Sequence, residues 1–100
     1  MDTKMLEIIA KCINTCEECA TECISENGHS ECAMVCRDCA DVCSLLYKFI
    51  SRKSQNADLL KNLCKEICLK CAKECEKHAD HMPSCRACAE ACRECAEACA

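Results

Sequence analysis

The chain has 100 residues, of which 17 are cysteine and two are aromatic, and its formal net charge is −4. This length suits one domain spanning residues 1–100 and leaves no room for a separate catalytic module. Interspersed charges and scarce aromatic side chains argue against nucleic-acid binding. No stretch is apolar for long enough to form a signal peptide or a membrane span. We therefore expect a cytoplasmic protein, in which thiols stay reduced, without a nucleic-acid or membrane partner.

Four helical segments are predicted, and the first two share a short connection. The first runs from the second or third residue to Glu26, and Asn27-Gly28 provides its C-terminal stop. The second begins at Ser30, which is suited to the N-cap, and continues to Arg52. Because so few residues join them, these two helices are expected to be antiparallel neighbours.

The third and fourth helices follow a polar linker at residues 51–56. The third begins at the end of this linker, carries Asp58 in its first turn and reaches His78. Pro83 opens the fourth, which runs to the C-terminus. The pattern predicts an all-α protein, an antiparallel up-down-up-down four-helix bundle.

The cysteines recur at spacings of four, three and four residues within each segment. This is the rhythm of side chains that face the core of a bundle, so a cysteine-lined core is predicted. Antiparallel packing would stack the thiols in four layers, with the opposite end of the bundle closed by Met5, Ile9, Leu46, Ile50 and Leu60. The predicted layers are Cys23, Cys32, Cys75 and Cys85; Cys19, Cys36, Cys71 and Cys88; Cys16, Cys39, Cys68 and Cys92; and Cys12, Cys43, Cys64 and Cys95, with Cys99 beyond them.

The three histidines fall in or beside the loops at the end opposite the aliphatic residues. We call this end the mouth. His29 lies in the first loop, His78 continues the third helix, and His81 precedes Cys85 by four residues. Imidazole and thioether groups are neutral ligands, so these histidines, with Met82 and the nearby Met34, suit a port that passes metal ions inward.

Eight Cys-x-x-x-Cys pairs place two thiols one helical turn apart. Such a pair can hold one ion between two sulfurs, and soft thiolates at low coordination number favour Cu(I). A core of 17 thiolates needs compensating charge, which about one monovalent ion per thiolate supplies. Zinc prefers closed sites of four ligands, each of which would keep a charge of about −2 with four thiolates. We therefore predict storage of many Cu(I) ions per chain.

Two other metal chemistries remain open at this point. An iron–sulfur protein also uses cysteine ligands, and a zinc or general heavy-metal buffer would use the same residues. An enzyme is not expected, because a nucleophilic cysteine would have to stand apart from the others and none does.

Residues outside the cysteine positions are expected to be structural. A second apolar stripe on the second and third helices is predicted to pack between helices, with a surface for self-association as the alternative. It consists of Val35, Val42, Phe49, Leu59, Leu63 and Ile67. Charged residues outside the cysteine positions are predicted to form the solvent-exposed faces of the helices. They include Glu17, Glu18, Lys73, Glu74, Arg93 and Glu94.

The sequences CEECATEC at 16–23 and CRACAEACRECAEAC at 85–99 resemble those of the cytosolic copper storage proteins of bacteria. The resemblance covers essentially the whole chain. It implies a four-helix bundle that fills with many Cu(I) ions, often as a homotetramer. A copper chaperone or a small-molecule copper donor or acceptor is the expected exchange partner. Exported relatives carry a twin-arginine signal and methionines at the mouth, whereas this chain has histidines there. Cys85 has its nearest cysteine partner only three residues on, so His81 is predicted to complete its site.

Overall fold

Four α-helices form the protein in the computed structural model, which describes residues 2–25 and 28–100. They are α1 (Asp2–Ser25), α2 (Ser30–Ser51), α3 (Ala57–Glu76) and α4 (Pro83–Ala98). The predicted all-α class is confirmed. Within the described ranges, no helix combines the length and hydropathy needed to cross a membrane.

The helix ends agree with the sequence signals to within two residues, except where the prediction falls outside the described residues. That is so for the stop at Glu26 and Asn27. Gly28 follows with a φ of 82°, a left-handed conformation that glycine adopts without strain. The third helix ends before His78, because residues 77–81 continue as turns, with the backbone N–H of His78 donating to the Cys75 carbonyl at 3.0 Å.

Each helix packs against two others, so the four form a closed bundle. The helix α1 lies against α2 and α4, and α3 lies against α2 and α4. The resulting rod measures 42 × 17 × 17 Å. Because the connections are short, chain neighbours run antiparallel, and both loops that carry histidines lie at the same end.

The core consists mainly of sulfur. All 17 cysteines are buried, most of them completely. An alanine directly follows seven of these cysteines, and six of the seven alanines are also buried; the buried ones are Ala20, Ala33, Ala40, Ala72, Ala89 and Ala96. Small side chains beside the cysteines let neighbouring helices approach closely, which brings sulfurs of different helices into contact.

The end away from the mouth is closed by aliphatic packing, as the sequence predicts. Ile9 and Leu46 are fully buried, and Ile50 is nearly so. Met5 and Leu60 are partly buried and pack against the same core. Burial of these side chains supplies the hydrophobic stabilisation that cysteine and alanine provide only weakly.

The second apolar stripe packs over only part of its length. Val35, Val42 and Ile67 are partly buried and touch the core, in agreement with the prediction. Leu59 is 70% exposed and Leu63 is 46% exposed, so the prediction that they pack between helices is wrong. Each directly precedes a residue that faces the core, Leu60 or Cys64, so its own side chain is rotated by about 100° around the axis of α3.

Candidate metal centre

The cysteine sulfurs meet across all four pairs of neighbouring helices. Cys43 and Cys64 join α2 to α3 with their Sγ atoms 3.4 Å apart, and Cys36 and Cys88 add a diagonal contact between α2 and α4 at 4.0 Å. Along single helices, pairs at four-residue spacing also touch, with Sγ atoms 3.8 Å apart for Cys64 and Cys68. The thiols therefore form one connected set, which we call the cysteine column.

The column is staggered and does not form the four separate layers predicted. The described residues form eight groups of possible metal ligands within 4.8 Å of one another, and among these are five sets of four sulfurs that share members. They are Cys12, Cys16, Cys39 and Cys92; Cys12, Cys43, Cys68 and Cys95; Cys16, Cys71, Cys88 and Cys92; Cys19, Cys23, Cys32 and Cys85; and Cys19, Cys36, Cys75 and Cys88.

The stagger has a simple geometric cause. Successive inward positions alternate between rises of about 4.5 and 6 Å along a helix, so sulfurs on antiparallel neighbours fall between one another's heights. Cys75 illustrates this arrangement, since its Sγ lies 3.8 Å from that of Cys19 and 3.6 Å from that of Cys36. An ion at one set of sulfurs is thus one ligand exchange away from the next set.

Protons are shared along the column, because packed thiols act as donors to one another. Hydrogen bonds from Cys16 and Cys39 lower the pKa of Cys12, while the pKa of Cys92 is raised by its hydrogen bonds with Cys12 and Cys16. Burial raises the pKa of Cys23 and Cys85 near the mouth. A column of this kind cannot ionise completely without cations to replace its protons.

Cys99 is the last thiol of the cysteine column along the chain. Hydrogen bonds from Cys64 and Cys95, with a smaller contribution from the charge of Lys61, lower its pKa to about 4. The thiol lies at the C-terminal end of α4 and is 5% exposed. The column therefore continues past the predicted fourth group toward the aliphatic end.

The mouth brings the three histidines together. The ring centroids of His29 and His78 are 4.1 Å apart, and that of His81 lies 5.8 Å from His29 and 5.9 Å from His78. The α1–α2 and α3–α4 loops meet here, which is why residues distant in sequence become neighbours. The sequence predicted their shared end of the bundle, and the structure adds their mutual contact.

Met82 lies at the mouth beside Cys85. Its side chain is buried, and the Cys85 Sγ lies 3.9 Å from its Sδ. Met34 is 68% exposed, and its role at the port stays a prediction. Cys85 also has thiol partners on α1, with its Sγ 3.4 Å from that of Cys19 and 3.9 Å from that of Cys23. These contacts supply the neighbours that its own helix lacks.

Glu74 was expected on the solvated face, and that prediction is wrong. Its side chain is only 12% exposed, and its Oε2 lies 3.6 Å from Nε2 of His78. Lys77 donates a hydrogen bond to the other carboxylate oxygen at 2.9 Å. The sequence signal for this position is its spacing, because Glu74 precedes His78 by one helical turn and so shares its side of α3.

A profile of the copper storage protein family matches residues 2–100. The chain belongs to this family. A cysteine-rich protein of Bacillus subtilis, YhjQ, described as uncharacterised, is 39% identical over 89 residues, covering 86% of this chain and 81% of that protein. The resemblance drawn from the cysteine motifs is thereby confirmed.

Solved structures of the family superpose on nearly the whole bundle. Apo copper storage protein 3 from Bacillus subtilis is 37% identical with a TM-score of 0.92, covering 99% of this chain and 95% of that one. The Cu(I)-bound copper storage protein BsCsp3 is 36% identical with a TM-score of 0.91, covering 98% and 93%. The protein Ccsp from Streptomyces lividans, loaded with 10 copper equivalents, is 34% identical with a TM-score of 0.91, covering 96% and 78%.

These findings confirm the four-helix fold and the copper-storage function predicted from the sequence. They do not favour the iron–sulfur and zinc alternatives. The roles of individual cysteines and histidines as ligands stay predictions.

Proposed function

We propose that the chain is a single cytoplasmic domain that stores Cu(I) on its 17 cysteines and catalyses no reaction. The observation that carries this proposal is the connected column of buried sulfurs, in which sets of four lie within 4.8 Å of one another and share members. A relative from Streptomyces lividans is described as a cytosolic copper storage protein, which supports the location.

The chemistry of the column matches Cu(I) in softness, charge and spacing. A linear sulfur–metal–sulfur unit spans about 4.5 Å, and sulfurs on the same helix, such as Cys19 and Cys23 at 3.9 Å, reach that separation by small rotamer changes. One monovalent cation per thiolate leaves the core neutral, and sulfurs shared between sets can bridge neighbouring ions.

The mouth is the proposed port. Ions would first meet His29, His78 and His81, then Met82, and then the thiol of Cys85, which is 3.9 Å from the Met82 sulfur. Neutral ligands hold Cu(I) less tightly than thiolates do, so this order moves ions inward. The opposite end is closed by Ile9 and Leu46, which leaves the mouth as the direction of filling.

Self-association into a homotetramer and exchange with a copper chaperone or small-molecule carrier are further parts of the proposal. Exposed apolar side chains on α2 and α3 supply an apolar surface for another copy. They are Leu45, Leu59 and Leu63. Sedimentation velocity of the apo and loaded forms tests the assembly, and a monomer at all concentrations would contradict it.

Anaerobic titration with Cu(I) tests the storage function directly. We expect uptake to continue to about one ion per cysteine and to produce a colourless, luminescent form, with zinc taken up in far smaller amounts. Saturation at only a few ions per chain would contradict storage, and a brown protein with visible absorbance as purified would support the iron–sulfur alternative.

A further inference from the structure

We infer that the mouth holds a second kind of metal site, a site for one borderline divalent cation of the Zn²⁺ class, formed by His29, His78, His81 and Glu74. This site lies outside the cysteine column and differs from it in donor chemistry. It uses the same imidazoles as the proposed Cu(I) port, but its ligand set includes a carboxylate for which Cu(I) transfer has no use.

The spacing of the imidazoles fits a shared ion. Ligand atoms about 2.0–2.1 Å from one tetrahedral ion place the centroids of two imidazole rings about 5 Å apart. The three centroid separations at the mouth, 4.1, 5.8 and 5.9 Å, bracket that value. Small ring rotations therefore suffice to point one nitrogen of each ring at a common point.

The carboxylate occupies the position of a fourth ligand. Two ligand atoms on one tetrahedral ion lie about 3.4 Å apart, and the Glu74 Oε2 lies 3.6 Å from the His78 Nε2. Its Oε1 accepts a hydrogen bond from Lys77 at 2.9 Å, so the two carboxylate oxygens have different partners and Oε2 is the one beside His78. Ligand orientation by such an outer partner is typical of built metal sites.

The donor set selects the class of ion. Three imidazoles and one carboxylate are the ligands of Zn²⁺ and its neighbours, whereas Cu(I) prefers the soft sulfurs of the column. Glu74 and His78 are also largely shielded from water, with side chains 12% and 17% exposed. A divalent ion here would bridge the loop before α2 and the turn before α4, and so hinder copper from leaving through the mouth.

The test uses Co²⁺ as a spectroscopic probe for Zn²⁺ on protein whose thiolates are already filled with Cu(I). We expect one Co²⁺ per chain, with weak visible d–d bands and no intense near-ultraviolet thiolate charge-transfer band, and displacement by Zn²⁺. The variant Glu74→Gln should weaken Co²⁺ binding about tenfold or more. The matched control Glu66→Gln, an exposed position two turns away on the same helix, should leave binding unchanged.

A second measurement follows copper release to a chelator. One equivalent of Zn²⁺ should slow release from the loaded protein and have no effect on the double variant His78→Ala/His81→Ala. The far-ultraviolet circular dichroism of each variant checks folding; if the double variant unfolds, Glu74→Gln and the single variant His81→Ala provide the comparison.

Three results would overturn the inference: no Co²⁺ binding, a charge-transfer band showing that Co²⁺ takes thiolates only, or equal binding by the Glu74 and Glu66 variants. These experiments distinguish failure of the proposed Cu(I) port from failure of the inferred divalent site. Slower Cu(I) loading in the double variant without Co²⁺ binding in the wild type would support the port alone, and the reverse outcome would support the divalent site alone.

Discussion

The Sγ atoms of Cys19 and Cys85 lie 3.4 Å apart, and they link α1 to α4 close to the mouth. Cys85 has no cysteine four residues away on its own helix, so its sulfur neighbours come from α1, from Cys32 on α2 and from Met82. An irregularity in the sequence is thus resolved by contacts between helices. This thiol is also the one that the Met82 sulfur touches, which makes it the first proposed thiol ligand for an incoming ion.

Replacing Cys85 with serine should therefore change how fast copper enters. We expect Cys85→Ser to lower the capacity by about one ion and to slow loading, because the thiol next to the port is missing. The control Cys99→Ser, at the other end of the column, should lower the capacity by a similar amount and leave the loading rate unchanged. Stopped-flow loading and equilibrium titration measure the two properties, and equal rates in both variants would contradict the filling direction.

The histidines should affect the rate of loading and not its extent. The variant His78→Ala/His81→Ala removes two of three imidazoles whose centroids lie within 5.9 Å of one another, yet it removes no thiol. We expect slower Cu(I) uptake and release with nearly unchanged capacity. Rates equal to those of the wild type would rule out the mouth as the port, whereas a loss of many ions would show that the histidines organise the column itself.

The sequence predicts the fold and the cysteine column because periodic spacing is a local property of each helix. The burial of Cys12 or Cys68 follows from the spacing of four and three residues alone. The stagger between helices does not, because it depends on the relative heights of packed neighbours. The exposure of Met34 and the shielding of Glu74 depend likewise on loop and helix positions that spacing leaves undetermined.

Copper binding should release protons, although fewer than one for each of the 17 thiols. Burial raises the pKa of Cys85, so this thiol is protonated at neutral pH and must lose its proton to bind Cu(I). Cys99, with a pKa of about 4, is already a thiolate there and has none to release. Affinity at a protonated site should fall about tenfold for each unit of decreasing pH.

Proton release can be followed with an indicator dye in weak buffer during anaerobic loading. Relative to the wild type, Cys85→Ser should release about one proton fewer at saturation, and Cys99→Ser should release the same number. Equal losses in the two variants would contradict the difference in ionisation between the two ends of the column.

The aliphatic end should determine the stability of the apo protein without affecting its capacity. Leu46 is fully buried beyond the thiols, so Leu46→Ala is expected to lower the free energy of unfolding by about 2–5 kcal/mol, through lost contacts and the cavity left behind. Ile24→Ala, at a side chain 55% exposed and outside the proposed assembly surface, should change it by no more than about 0.5 kcal/mol. Urea unfolding of the apo forms measures both values.

Cu(I) titration of the same two variants separates stability from storage. Both should still load to the wild-type level, because neither side chain supplies a ligand. Loading should also raise the stability of Leu46→Ala, since an ion that binds only the folded state favours that state by mass action. A reduced capacity in Leu46→Ala would show that the aliphatic end also sets the geometry of the thiols. Equal destabilisation by both substitutions would contradict the assignment of this end of the bundle as the apolar core.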